Sequence, residues 1–228
     1  MAFITLNRQK LKENYTHLSE LFKARHIEWA IVTKMLCGNE IYIREIIDLG
    51  IQEICDARIS NLRIVKELNP DIQTVYIKPP ARRAIKDVVT YADASFNTEL
   101  ETIKLLSKEA VKQNKQHKII IMIELGDLRE GVMGSELVDF YGQIFELPNI
   151  KVTGIGFAGK LADDFALSRK DELLDDGCLL GVGGKLEEAA IVVDGSNWIE
   201  AILHLHEETP DLKVRLGRLD DATSHGKK

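Results

Sequence analysis

The chain lacks any apolar run near the roughly 18 residues of a membrane span. Met1-Ala2-Phe3-Ile4 opens on a strand-like segment rather than a signal peptide, so a cytoplasmic protein with no membrane partner is expected. Cysteine is scarce: Cys37, Cys55 and Cys178 are odd in number and have no CxxC spacing, which argues for free thiols against a disulfide framework or a zinc site. Positive charge is not in excess. With 30 Lys and Arg against 36 Asp and Glu the net charge is -6, and no broad basic surface is available to neutralise the phosphates of a nucleic acid. A local anion site remains compatible with that balance. No G-x-G-x-x-G opens the first helix, so a doubly wound dinucleotide-binding sheet is without its fingerprint. His204 and His206 are two residues apart and fall on different helix faces, and no metal site is expected of them. His117 precedes the fifth strand and His26 the first; both read as surface residues.

What is present is a rhythm. Phe3 to Leu6 reads as a short strand, and Asn7 can cap a helix with Leu11, Tyr15, Leu18 and Phe22 on one face. Strand-like runs then recur at Trp29 to Thr33, Glu53 to Ala57, Thr74 to Ile77, Ala94 to Asn97, Lys118 to Glu124, Lys151 to Gly156, Ile191 to Asp194 and Lys213 to Leu216. Amphipathic helices alternate with them, most clearly at Glu40 to Leu49, Ile59 to Leu68, Thr98 to Gln113 and Ser135 to Phe145, and Gly50 sits where a helix C-cap belongs. Eight strands alternating with helices predict a parallel sheet closed into a single-domain α/β fold, a (β/α)8 TIM barrel over residues 1–219. The polar end, 220–228, is expected to be disordered. The longest connection, Gly156 to Ile191, carries Leu180-Gly181-Val182-Gly183-Gly184-Lys185, whose glycines fit turn geometry and lack P-loop spacing.

One stretch organises the chemistry. Ala30-Ile31-Val32-Thr33-Lys34 delivers a lysine at the end of an apolar strand, and Cys37-Gly38-Asn39-Glu40 then turns the chain into a helix that Asn39 can cap. A strand's carboxyl end is where α/β barrels hold ligands, and partial burial there favours a neutral, nucleophilic amine. Position alone leaves two readings of Lys34, a Schiff-base lysine or a strand-end lysine snorkelling to water. In a barrel the same rim would gather Asp56, Arg58, Lys78, Asn97, Asp127, Arg129, Asp194 to Asn197, Arg215, Gly217 and Arg218. Such a set suits a phosphorylated or carboxylate-bearing ligand, with Gly195-Ser196-Asn197 at a helix start offering backbone N–H groups. Strand ends also collect charge merely to solvate it, and spacing does not choose between the two. Tyr42, on the helix after Lys34, reads as a core residue.

Taken together, Val32-Thr33-Lys34 with Cys37-Gly38-Asn39, Asp56-Ala57-Arg58-Ile59, Asn97-Thr98-Glu99-Leu100-Glu101 and Glu124-Leu125-Gly126-Asp127-Leu128-Arg129-Glu130-Gly131 resemble the alanine/ornithine racemase family from about Phe3 to Gly156. That resemblance implies a pyridoxal 5'-phosphate enzyme on an alanine-racemase-type barrel, acting on a small amino acid. Lys34 would be the Schiff-base lysine. Arg129 would lie near the cofactor phenolate and the substrate carboxylate. Val214-Arg215-Leu216-Gly217 resembles the late R-x-G motif, which implies that Arg215 faces the pyridine nitrogen and that Gly217, with Gly195, Ser196 and Asn197, helps hold phosphate. Two differences stand out: Phe157-Ala158 replaces a polar pair, and Trp198 stands where the family has a phosphate-contacting serine. Racemases of the family carry a further β-domain that donates a catalytic tyrosine across a dimer, so the resemblance also implies a homodimer. A shortened racemase is the expectation for these residues. The alternative is a single-domain barrel that binds the cofactor and manages its supply with little turnover.

Overall fold

Two short pieces, Glu28–Trp29 and Ile31–Val32, are halves of one strand interrupted at Ala30, and each half has a different neighbour. In this computed structural model, which describes residues 5–24, 28–124, 131–133, 136–157, 189–193 and 214–218, the first half pairs with Val214–Arg218 and the second with Glu53–Asp56. From there the ladder runs through Gln73–Tyr76, Ala94–Asn97, His117–Ile123, Ile150–Phe157 and Ala189–Val193 back to Val214–Arg218, parallel at every step. A sheet whose two ends meet on one strand is closed. The result is a parallel barrel with helices in its connections, the (β/α)8 architecture that the rhythm of the sequence predicts.

Closure also explains one departure. Phe3 and Ile4 lie outside the described residues, and Thr5 and Leu6 run irregularly into the first helix instead of forming a strand. Each described strand already has two neighbours, so the barrel offers no free edge for a further one to join.

The helices are α1 (Arg8–Lys23), α2 (Glu40–Ile47), α3 (Ile59–Leu68), α4 (Ile85–Tyr91), α5 (Leu100–Lys112) and α6 (Leu137–Phe145). Asn7 caps α1 by accepting from the backbone N–H of Lys10, as its position suggests. Phe22 is buried in α1, and with Tyr15 it packs against Trp29, ring centroids 5.8 and 5.4 Å away. The helix thereby covers the start of the first strand. α4, at seven residues, turns barely twice, too short for its periodicity to stand out in the sequence.

Alternation along the strands separates two layers. Ala30, Cys55, Val75, Ile77, Ala94, Phe96, Ile120 and Met122 fill the barrel interior. Ile54, Tyr76, Ile119, Ile121 and Ile123 face outward and pack with Ile43, Leu62, Val65, Ile103 and Leu106 of the helices. The interior is apolar, and the outer layer is mainly so, with a few buried polar side chains bonded to one another, which leaves ligand chemistry to the loops at the mouth.

Candidate active site

The first strand ends at Thr33, and its side chains follow the layers just described: Ala30 goes to the interior, and Thr33 turns outward. Lys34 follows, half-buried, at the barrel's carboxyl mouth. Lys34–Leu36 form a single 3-10 turn, closed by hydrogen bonds from Leu36 N–H to the Thr33 carbonyl at 2.8 Å and from Cys37 N–H to the Lys34 carbonyl at 3.3 Å. Cys37 and Gly38 take φ of +52° and +71°, reversing the chain within two residues. Asn39 then caps α2 by accepting from the N–H groups of Ile41 and Tyr42. The amine is therefore presented on a short, tightly bonded turn between strand and helix.

Asp56 is not on the rim. Strand alternation turns it away from the mouth into the layer beneath α3, where it is fully buried. Its Oδ2 accepts from Thr33 Oγ1 at 2.9 Å and from Asn61 Nδ2 at 3.1 Å, and its Oδ1 accepts from the N–H of Arg58 at 2.8 Å. Tyr76, paired with Asp56 across the ladder, has its phenol pKa raised, first by burial and then by the Asp56 charge. Thr33 enters the sequence reading only as part of the motif that ends in Lys34, and Asn61 not at all. The signal that could have found them is a polar residue beside the key lysine and an asparagine amid the apolar stripe of α3.

Asn97 departs from the rim for the same reason and is also fully buried. It donates to the carbonyl and hydroxyl of Ser95, whose Oγ lies 2.8 Å from His117 Nε2. His117 is thus not a surface residue. It is the first residue of its strand and only 1% exposed, facing the outer layer with Ile119 and Ile121. Burial holds its pKa down to about 4. Arg58 and Lys78 are exposed just past their strands, as rim residues should be. Tyr42 is half-buried in the first turn of α2 rather than in the core.

Closure of the barrel places Arg215 and Gly217 on the strand beside that of Lys34. Arg215 pairs with Glu28 on one side and Ala190 on the other, and Gly217 pairs with Val192. The pairing sets Arg215 level with the start of the first strand, whereas Lys34 follows its end. Arg129, Gly195, Ser196 and Asn197 lie outside the described residues, as do His26, His204, His206, Trp198, the glycine-rich run at 180–185 and the tail at 220–228. Among the described residues no group of three or more His, Cys, Asp or Glu could hold a metal. No described helix is long and apolar enough to cross a membrane.

An amine at the mouth of a parallel barrel, on a turn fixed at both ends, suits a cofactor that arrives as an aldehyde and attaches to lysine. That is the form of a pyridoxal-phosphate barrel. The chain belongs to the alanine racemase N-terminal domain family, whose model matches residues 6–174, beyond Gly156 where the motif resemblance ends. Pyridoxal 5'-phosphate is the cofactor of that family. The chain is 38% identical over 154 residues to an ornithine racemase of Acetoanaerobium sticklandii, covering 67% of this chain and 43% of that protein. It is 25% identical over 153 residues to a lysine racemase of Thermotoga maritima, covering 67% and 42%. It therefore spans less than half the length of these two relatives. In fold it is similar to PipY of Synechococcus elongatus without PLP, with a TM-score of 0.72 at 16% identity, over 90% of this chain and 97% of that one.

Proposed function

We propose that this chain is the barrel of a pyridoxal-phosphate-dependent amino-acid racemase of the ornithine/lysine type, with Lys34 as its Schiff-base lysine. The observation that carries the reading is the placement of Lys34: a half-buried lysine on a bonded turn at the carboxyl mouth. The 38% identity to an ornithine racemase supports the reaction class. When bound, the cofactor supplies an aldehyde for the amine and a ring that draws electrons from a substrate's α-carbon. Lys34 holds it, and once its amine is free, that amine takes the substrate's α-proton onto Nζ.

The resemblance assigns the remaining roles. Arg129 orients the substrate carboxylate, and Gly217, Gly195, Ser196 and Asn197 hold the phosphate. Arg215 would face the pyridine nitrogen; arginine keeps its proton at neutral pH and would donate only a hydrogen bond there, so the bound cofactor would be a weak electron sink. That restraint suits removal and return of one proton.

The test is direct. After loading with pyridoxal phosphate and reduction with borohydride, the pyridoxyl adduct is expected on the peptide carrying Lys34, and Lys34→Ala should abolish it. An adduct confined to Lys78 or another lysine would refute the assignment. A second reading is a barrel that holds the cofactor with little turnover. It is favoured by the shared fold over 97% of PipY, a protein also known in a form with PLP bound. A racemisation assay on ornithine and lysine separates the two, because only the first reading predicts inversion.

A further inference from the structure

We propose that Thr33, Asp56 and Asn61, on the outside of the barrel wall, are positioning residues that fix the backbone on both sides of Lys34. The inference rests on the reading of Lys34 given above and deepens it. The lysine turn has two ends: one is bonded to Asp56, the other lies against Asn61, and these two side chains are bonded to each other. At its start, Thr33 donates its N–H to the Cys55 carbonyl at 2.9 Å and its hydroxyl to Asp56 Oδ2 at 2.9 Å. At its far end, Gly38 lies so close to α3 that a Cβ built on it would stand 2.7 Å from Asn61 Oδ1 and 3.1 Å from Ile64 Cδ1. Asn61 joins the two ends, because its Nδ2 donates to the same Asp56 oxygen at 3.1 Å.

All three residues are buried, Thr33 and Asp56 fully and Asn61 at 3% exposure. A buried carboxylate with three donors is held rigidly, since losing any one leaves a buried acceptor unsatisfied. Asp56 is fixed in turn from α3 through Asn61 and from the Arg58 N–H at 2.8 Å. The chain between the two anchors is a 3-10 turn whose first hydrogen bond ends on the Thr33 carbonyl. Moving Thr33 therefore moves the peptide that carries Lys34. Attachment of an aldehyde needs the amine held within a fraction of an ångström of its productive position. An apolar face of α3 would pack as well. A carboxylate that fixes direction as well as distance does what packing alone does not.

The test compares Thr33→Val, which keeps the side chain's shape and removes the hydroxyl, with Thr33→Ser, which keeps the hydroxyl. Two readouts are taken on the folded protein at one temperature: affinity for pyridoxal phosphate, and the rate of reductive methylation of Lys34 without cofactor, relative to exposed Lys78. Thr33→Val is expected to weaken affinity and change relative Lys34 labelling by about tenfold, the scale of one hydrogen bond to a charged group. Thr33→Ser should restore both to within about twofold. If Thr33→Val does not fold, Thr33→Ala, which leaves room for water against Asp56, carries the same comparison. Wild-type affinity and labelling in the hydroxyl-free variant, or equal losses in Thr33→Ser, would overturn the positioning role while leaving the cofactor reading intact. Failure of the wild-type protein to form an adduct on Lys34 would overturn the cofactor reading; altered labelling in Thr33→Val would still support the anchor.

Discussion

His117 sits between Gln116 and Lys118 and two residues after Lys115, a polar neighbourhood that reads as surface. Its side chain is nonetheless buried against Ser95, because alternation along the strand sends positions 117, 119, 121 and 123 to the outer layer. Burial lowers its pKa from 6.5 to about 4 and outweighs the charge of Asp93 and the hydrogen bond to Ala92, both of which act to raise it; Lys115 adds to the lowering. The sign follows from linkage. Above about pH 6.5 the ring is neutral in both states; as pH falls towards 4 the unfolded chain takes up the proton first, and the folded state loses stability. Between about pH 7 and pH 4.5 this group should cost the fold about 2–3 kcal/mol. Urea unfolding at the two pH values measures it: His117→Gln should lose correspondingly less across the same interval. An identical loss in both proteins would place the acid sensitivity elsewhere.

At the scale of the element, the turn from Lys34 to α2 depends on Asn39. Its Oδ1 accepts from Ile41 N–H at 3.0 Å and Tyr42 N–H at 3.4 Å, satisfying donors that the helix itself leaves open. Asn39→Ala should cost about 1 kcal/mol and lower Tm by about 2–4 °C in a chain of this length, and Asn39→Asp should cost less because a negative charge suits a helix N-terminus. Thermal melts of the three proteins check the order. The cap was legible because Asn39 stands just before a run with helical spacing. Asp56 and Asn97 were placed on the rim wrongly, since position at a strand's end gives height in the barrel and only the parity of neighbours gives the face.

The whole molecule sets the limit on what Lys34 can do. One amine serves one face of the planar carbon left when an α-proton is removed, and inversion needs an acid on the opposite face, a contribution typically worth about 10²- to 10⁴-fold. Closure of the barrel puts Lys34 on a single wall. Loaded with pyridoxal phosphate in heavy water, the 228-residue chain should therefore exchange the α-proton of one ornithine enantiomer much faster than it inverts it. Proton NMR follows exchange and chiral chromatography follows inversion. Equal rates on both enantiomers would place a second base within these residues, with Tyr42 the first to test by Phe substitution.

By itself the sequence determined the eight strands of the barrel, the helices long enough to show their period, the two asparagine caps and the lysine at the end of the first strand. These depend on residues near one another along the chain, where spacing and turn chemistry act directly. The tertiary structure alone decided that Thr5 and Leu6 form no strand, since every strand of the closed barrel already has two neighbours. It also decided that His117 is buried against Ser95, and that Asp56 meets Thr33 behind Lys34. Those contacts join residues more than 20 positions apart. No local pattern encodes them, because they exist only once the barrel has closed and its helices have packed against the wall.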